Sequence, residues 1–356
     1  MRGRFFRLVR ALHAWGGVTL ALLLCLISLT GSLLVWKPDY LRLTLADGGA
    51  AISATPESLA RLTEAVEREL GANAVYLIEF PTPQLPLVKV TGSDGSSYAY
   101  FDARGKVLSR WQGNGRWEEW LFDLHHRLLL DNLGLTIVGC AALALIILVL
   151  AGVIVFWPMR RSFEWRVWPR DASVRSLRSA HRSAGIVLAI PLLMSLVTGA
   201  ILAFPEQSQK LLLEPFRDDS YSLDFSEHLD GVSGGDSGAW LSVLQRAQSS
   251  FPGARIRAVQ SANDFSVYRI VWLQQPGEWN PTGLSKVYIE AKEGHMDVRI
   301  DSQAQLPSER LYYAGYPLHT GKVGGLPYKL LLTASGLLVA LLSMLGMIGF
   351  VRSRMH

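Results

Sequence analysis

Four histidines in this chain stand at matched positions of a duplicated sequence. Residues 9–36 read VRALHAWGGVTLALLLCLISLTGSLLVW, and residues 177–204 read LRSAHRSAGIVLAIPLLMSLVTGAILAF. A shift of 168 positions superimposes His13 on His181, Gly17 on Gly185, and Thr30-Gly31 on Thr198-Gly199. A second shift, of 194, brings Leu124-His125 onto Leu318-His319, Gly152 onto Gly346 and Phe156 onto Phe350. A neutral imidazole nitrogen is a good metal ligand. Histidine is uncommon at membrane helices, so four at repeated positions point to ligation rather than chance.

The elements that must carry these histidines are membrane spans. Of the 356 residues, 49% are hydrophobic and only 18% charged, too apolar a balance for an ordinary soluble enzyme of this size. Four stretches, 14–36, 134–157, 183–204 and 330–351, lack acidic and basic side chains. A bilayer core of about 30 Å needs about 20 helical residues, so each stretch is long enough to cross it. Buried core helices of that length without a polar face would be out of place in water.

The arginines orient the chain. Arg2, Arg4, Arg7 and Arg10 precede the first span, and Arg160, Arg161, Arg166, Arg170, Arg175, Arg178 and Arg182 crowd the connection between the second and third. Arg352 and Arg354 follow the fourth. By the positive-inside rule the segments 1–13, 158–182 and 352–356 are expected in the cytoplasm, and 37–133 and 205–329 on the opposite side. The net charge of +5 is therefore a topology signal, and nothing else supports nucleic acid as a partner. The apolar run at the N-terminus is longer than a signal peptide's, and no small-residue cleavage site precedes Trp36-Lys37-Pro38, so an uncleaved anchor is expected. Cys25 and Cys140 both fall within spans and match no metal or disulfide spacing.

Both outer segments read as small α+β domains. In the first, Thr55-Pro56 caps the helix ESLARLTEAVEREL, and strand-like runs follow at AVYLIEF, PLVKVTG, SSYAYFDA and KVLSRW. In the second, the helix AWLSVLQRAQSSF precedes RIRAVQ, FSVYRIVWL and KVYIEA, and Lys292-Glu293-Gly294 turns into HMDVRI. YFDARGKVL corresponds to YIEAKEGHMDV, so the domains repeat along with the spans. The expected architecture is helix–domain–helix twice, in one orientation, with the repeats packed about an axis along the membrane normal.

Taken together, the H-x-x-x-G near one end of spans one and three, the following Thr-Gly, the Leu-His elements LHHRLLL and PLHTGKVGG, and the FDARGKVL hairpin resemble the PepSY-associated transmembrane proteins. The resemblance covers nearly the whole chain. It implies a bacterial inner-membrane protein that binds b-type haem through histidines, and members of that family include ferric-siderophore reductases. Its expected partners are a ferric siderophore or other ferric chelate outside and a cytoplasmic or quinol electron donor, with the lipid bilayer around it.

The residues fit such a cofactor. Two axial imidazoles give a six-coordinate iron suited to electron transfer. Gly16 and Gly17 stand three and four residues after His13, and Ala184 and Gly185 at the same offsets after His181, so small side chains share each histidine's face. Arg10, Arg178 and Arg182 are near enough to pair with haem propionates, as are Arg127, Lys322 and Tyr328 on the outer side. If the repeats face each other, His13 pairs with His181 and His125 with His319, one haem near each membrane face; cross-pairing and five-coordinate sites are the alternatives. His126 replaces His125 if its helix is rotated. His228, His295 and His356 lack any such match.

No G-x-S-x-G, H-E-x-x-H or P-loop is present, and the glycine pairs at 48–49, 234–235 and 324–325 are loop hinges rather than phosphate cradles. Electron transfer needs no such machinery, because the cofactor supplies the chemistry. With no dinucleotide-binding unit, a nicotinamide donor would require a partner. Trp111, Trp117, Trp120, Trp272 and Trp279 are candidates to line an outer docking surface. Two competing classes are a non-enzymatic PepSY protein that binds or regulates an outer partner, which would be colourless, and a small transporter, which would accumulate substrate without redox chemistry.

Overall fold

The computed structural model describes residues 2–45, 54–165, 167–216, 239–262, 268–291 and 296–355. His228, His295, His356 and the expected turn at 292–294 lie outside them. The chain divides into two compact units, one built from Met1–Trp36, Trp120–Lys210 and Gly315–His356, the other from Lys37–Glu119 and Leu211–Ala314.

In chain order the helices are α1 (Arg2–Leu34), α2 (Lys37–Leu45), α3 (Pro56–Leu70), α4 (Trp117–Arg127), α5 (Asp131–Phe156), α6 (Val174–Ala203), α7 (Pro205–Leu212), α8 (Trp240–Ser250), α9 (Pro307–Thr320) and α10 (Gly325–Met355). Four of them, α1, α5, α6 and α10, are long and apolar enough to cross a membrane. Each begins before the charge-free stretch that marks it in the sequence; α1, α5 and α6 stop one or two residues short of its end, α10 runs past it, and α6 continues unbroken through Pro191. Their outward residues are bare: Ile147 is 57% and Ile190 79% exposed, as lipid contact requires. Several hydroxyls inside these helices are satisfied by their own backbone, whereas Ser183 Oγ on α6 is buried without a partner among the described residues. Ser28 donates to Leu24 O, Thr136 to Asn132 O and Ser343 to Val339 O, the i−4 bond that keeps a polar side chain tolerable away from water.

Neighbours α1–α5, α5–α6, α6–α10 and α10–α1 pack directly, closing a four-helix bundle with α1 and α6 on one diagonal. Leu145, Leu148, Leu188, Leu192, Leu196 and Leu342 fill its middle. Small residues set the approach of α1 to α10. A Cβ added to Gly336 would lie 2.2 Å from Ser32 Oγ and 3.0 Å from Ser28 O, the close contact that small residues permit where no hydrophobic drive exists between helices.

The second unit departs from two separate outer domains. Its strands β1 (Val75–Glu79), β2 (Val88–Gly92), β3 (Ser97–Phe101), β4 (Val107–Gln112), β5 (Arg255–Gln260), β6 (Tyr268–Gln274), β7 (Ser285–Glu290) and β8 (Met296–Ile300) form one sheet in the order β4-β3-β2-β1-β5-β6-β7-β8. The join is antiparallel, with Leu77 opposite Gln260, Ile78 opposite Val259 and Glu79 opposite Ala258. Pairing the first strand of each half removes two sheet edges that would otherwise be open to aggregation. Helices α3 and α8 lie together on one face, where Leu59, Leu62, Val66, Val243, Leu244 and Ala247 meet Ile78, Val90, Val259, Val271 and Val287 in a single core. On the other face Leu41 of α2 packs with Leu87, Tyr100 and Trp111.

Candidate functional site

Each matched histidine is tied by one ring nitrogen to a neighbouring helix. His13 on α1 places Nδ1 2.9 Å from Leu148 O on α5, and His181 on α6 places Nδ1 3.0 Å from Leu342 O on α10. His125, at the end of α4, reaches Ile27 O of α1 at 3.0 Å and Thr30 Oγ1 at 3.1 Å. His319, at the end of α9, reaches Thr198 Oγ1 of α6 at 3.0 Å and also bonds the Ser195 backbone. A carbonyl oxygen can only accept, so the proton sits on Nδ1 and the lone pair on Nε2. That tautomer and fixed orientation are what a histidine ligand needs from its surroundings.

Glycines shape the socket for every ring. A Cβ on Gly152 would come 2.9 Å from His13 Cε1, on Gly346 2.9 Å from His181 Cε1, on Gly31 2.9 Å from His125 Cε1, and on Gly199 3.1 Å from His319 Cε1. Each imidazole therefore brings its Cε1 corner close to a backbone that carries no side chain. These contacts come from the helix next door and not from the histidine's own helix. Around Gly17 nothing stands within 4 Å, and Gly185 meets only Leu342 Cδ1, at 3.9 Å. Of the same-helix small positions, Gly17 and Gly185 thus have room for added atoms, whereas a Cβ on Gly16 would lie 2.9 Å from Leu148 Cδ2 and Ala184 is buried in the bundle core.

The histidines meet in two pairs. The ring centroids of His13 and His181 are 6.1 Å apart with planes at 61°, and those of His125 and His319 are 6.1 Å apart with planes at 44°. A first-row metal ion between two imidazoles, each bonded at about 2.0–2.1 Å, separates ring centres by about 6.4 Å once the nitrogen-to-centre distance is added. Both pairs are within a few tenths of an ångström of that spacing. The first pair spans the diagonal between α1 and α6. The second is packed against the far ends of the same two helices, 18 residues along α1 from His13 to Gly31, or about 27 Å.

Burial pushes the His125 imidazole down to about 3, helped by the neighbouring His319, and burial lowers His319 as well. Both rings are therefore neutral at physiological pH, the form that binds a metal. His126 takes no part in the pair. It stacks on Phe122, with centroids 5.2 Å apart, and its Nδ1 is buried without a partner among the described residues.

The cations expected near the sites are spread unevenly. Arg10 is exposed, while Arg182 is half-buried, with Nη2 3.5 Å from Ser179 Oγ. On the other side Tyr328 donates to Leu318 O at 2.8 Å, next to His319, and Lys322 Nζ to Tyr316 Oη at 2.6 Å. The chain between α4 and α5 is strained just past His125: Leu128, Leu129 and Asp131 have φ of 53°, 59° and 48°. In the matching stretch after His319 the positive φ values belong to Gly321, Gly324 and Gly325.

Four membrane-length helices, paired histidines at two levels of the bundle and one eight-stranded sheet define a polytopic membrane protein with an attached α+β unit. The family described as PepSY-associated TM region matches residues 10–352, and the chain belongs to it. No curated protein matched the chain.

Proposed function

We propose that the chain binds two b-type haems, one at His13–His181 and one at His125–His319, and passes electrons across the bacterial inner membrane to a ferric chelate. The observation that carries this reading is the pair of 6.1 Å imidazole separations, each ring fixed through Nδ1. Haem iron held by two histidines supplies one-electron chemistry without needing a substrate site on the metal. The chain's own part is to keep Nε2 free, hold the His125 and His319 rings neutral, and exclude water behind the leucines of the bundle. Open space at Gly17 and Gly185 leaves room for a flat ring system against the helix backbone. Arg10 and Arg182 on one side, and Arg127, Lys322 and Tyr328 on the other, are the available partners for propionates.

The arginine distribution supports cytoplasmic termini and a cytoplasmic connection at 158–182, with the sheet unit in the periplasm. The two halves are then parallel repeats. Electrons enter at the His13–His181 end from a cytoplasmic or quinol donor and leave at His125–His319. Oxygen-rich chelators hold Fe(II) far more weakly than Fe(III), so one electron releases the metal.

A dithionite-reduced minus oxidised visible spectrum of the purified protein, with haem quantified per chain, tests this. We expect a b-type spectrum and about two haems per chain. A folded, colourless protein would sink the proposal and favour a PepSY module that binds a periplasmic partner. The glycine sockets give a finer check. Gly152→Val drives a side chain into the His13 ring and is expected to remove the inner spectral component alone, and Gly31→Val the outer component alone. Equal loss of both components in either variant would contradict two separate sites.

A further inference from the structure

On the sheet face turned away from α3 and α8, three neighbouring strands carry hydrogen-bond donors that lack acceptors among the described residues. Arg257 sits at the irregularity of β5 between Ile256 and Ala258 and is only 9% exposed. Its Nε and Nη2 both donate to Gln274 Oε1, at 2.8 and 2.6 Å, while the Gln274 amide donates to Glu278 O at 3.1 Å and Asn280 O at 3.0 Å. A neutral amide thus fixes the guanidinium, and Nη1 has no hydrogen bond among the described residues. Trp272 faces Ala258 across the β5–β6 ladder, and its indole N–H is buried without an acceptor among the described residues.

Lys286 stands opposite Trp272 on β7, its Nζ 3.9 Å from the ring centroid. Among the described residues no carboxylate forms an ion pair with Arg257 or Lys286. Burial lowers the pKa of both. The nearest acid in register, Glu79, faces Ala258 from β1 but has Lys89 on its other side, and Glu290 lies opposite Tyr268. Partly buried cations with no counter-charge among the described residues are costly unless an anion completes them.

We propose that Arg257, Trp272 and Lys286 form a binding face for an anionic iron(III) polycarboxylate chelate. Carboxylate oxygens accept from the guanidinium Nη1 and the ammonium group, the charge-assisted bonds that Arg and Lys make best, with the Trp272 ring between them holding the ammonium in place. Arg257 and Lys286 are two strand spacings apart, about 10 Å, which suits a chelate bearing several outward carboxylates better than a single small anion. The inference deepens the electron-transfer reading and rests on it for the identity of the metal.

The test is calorimetric titration of the full-length protein in detergent with gallium(III) citrate, whose metal matches ferric iron in charge and is not reduced. We expect saturable binding that Lys286→Gln weakens about tenfold or more and Lys286→Arg largely restores. Arg257→Lys, which keeps the charge but not the fork held by Gln274, is expected to weaken it too. Absence of binding, or equal binding by wild type and the two weakening variants, overturns the site. So does equally tight binding of an uncharged gallium trihydroxamate, or an affinity confined to anionic lipid vesicles. The haem spectrum separates the failures: haem without gallium citrate binding removes this site and leaves the electron path, whereas binding without haem does the reverse.

Discussion

Replacing His13 or His181 by alanine is expected to lower haem content from about two to about one per chain, and to delete the same spectral component in both variants. His125→Ala and His319→Ala are expected to delete the other. The argument is geometric. Each ring stands 6.1 Å from one histidine partner among the described residues, and its remaining ring nitrogen is engaged with a carbonyl or hydroxyl of the next helix. Losing one imidazole would remove one of the two ligands and leave a cavity about the size of the lost ring, in a socket built around two rings. The Nδ1 bonds do not compensate, because they belong to the lost ring. His126→Ala is the internal control: that ring stacks on Phe122 outside the pair, so haem content is expected to stay near wild type. Loss of both components from any single variant, or of the outer one from His126→Ala, would disprove the pairing.

The histidines were legible because repetition selects them. A lone histidine at a helix end has many explanations, whereas His13 with His181 and His125 with His319 recur with their Thr-Gly and Gly neighbours. The sockets were less legible. Offsets of three and four report only what shares a helix face, so they point to Gly17 and Gly185. The glycines that touch the rings, Gly152, Gly346, Gly31 and Gly199, come from adjacent helices that no local spacing can identify. The sheet shows the same limit. All eight strands follow from alternation and turn residues, but the β1–β5 join pairs residues about 180 positions apart, as Leu77 and Gln260 do. The left-handed backbone at Leu128, Leu129 and Asp131 had no signal at all, since LHHRLLLDNLG offers no glycine there. Those residues are held by the fold around them and not by their own preference.

Loss of either histidine pair is expected to abolish electron transfer across the membrane while leaving the other pair reducible from its own side. The two pairs are separated by 18 residues of α1, about 27 Å of helix, with a leucine-filled bundle between them. Efficient tunnelling does not cover that distance in one step, so both stations are needed. Vesicles containing the oriented protein, with a ferrous-specific dye and ferric citrate on the side of the His125–His319 pair and a membrane-impermeant reductant on the other, read this directly. Wild type is expected to colour the dye. His13→Ala and His319→Ala are each expected to lower the rate by about a hundredfold or more, a barrier increase of about 2.7 kcal/mol or more.

Their spectra should differ in a way that simple unfolding cannot produce. In His319→Ala the inner haem still reduces at the wild-type rate, because its ligands, its Nδ1 bonds to Leu148 O and Leu342 O, and its access to the reductant are intact. In His13→Ala the outer haem stays oxidised until reductant is added to its own side. Dye reduction that persists in either variant would mean that electrons bypass the two-station path, and the assignment of His13–His181 and His125–His319 as consecutive carriers would have to be abandoned.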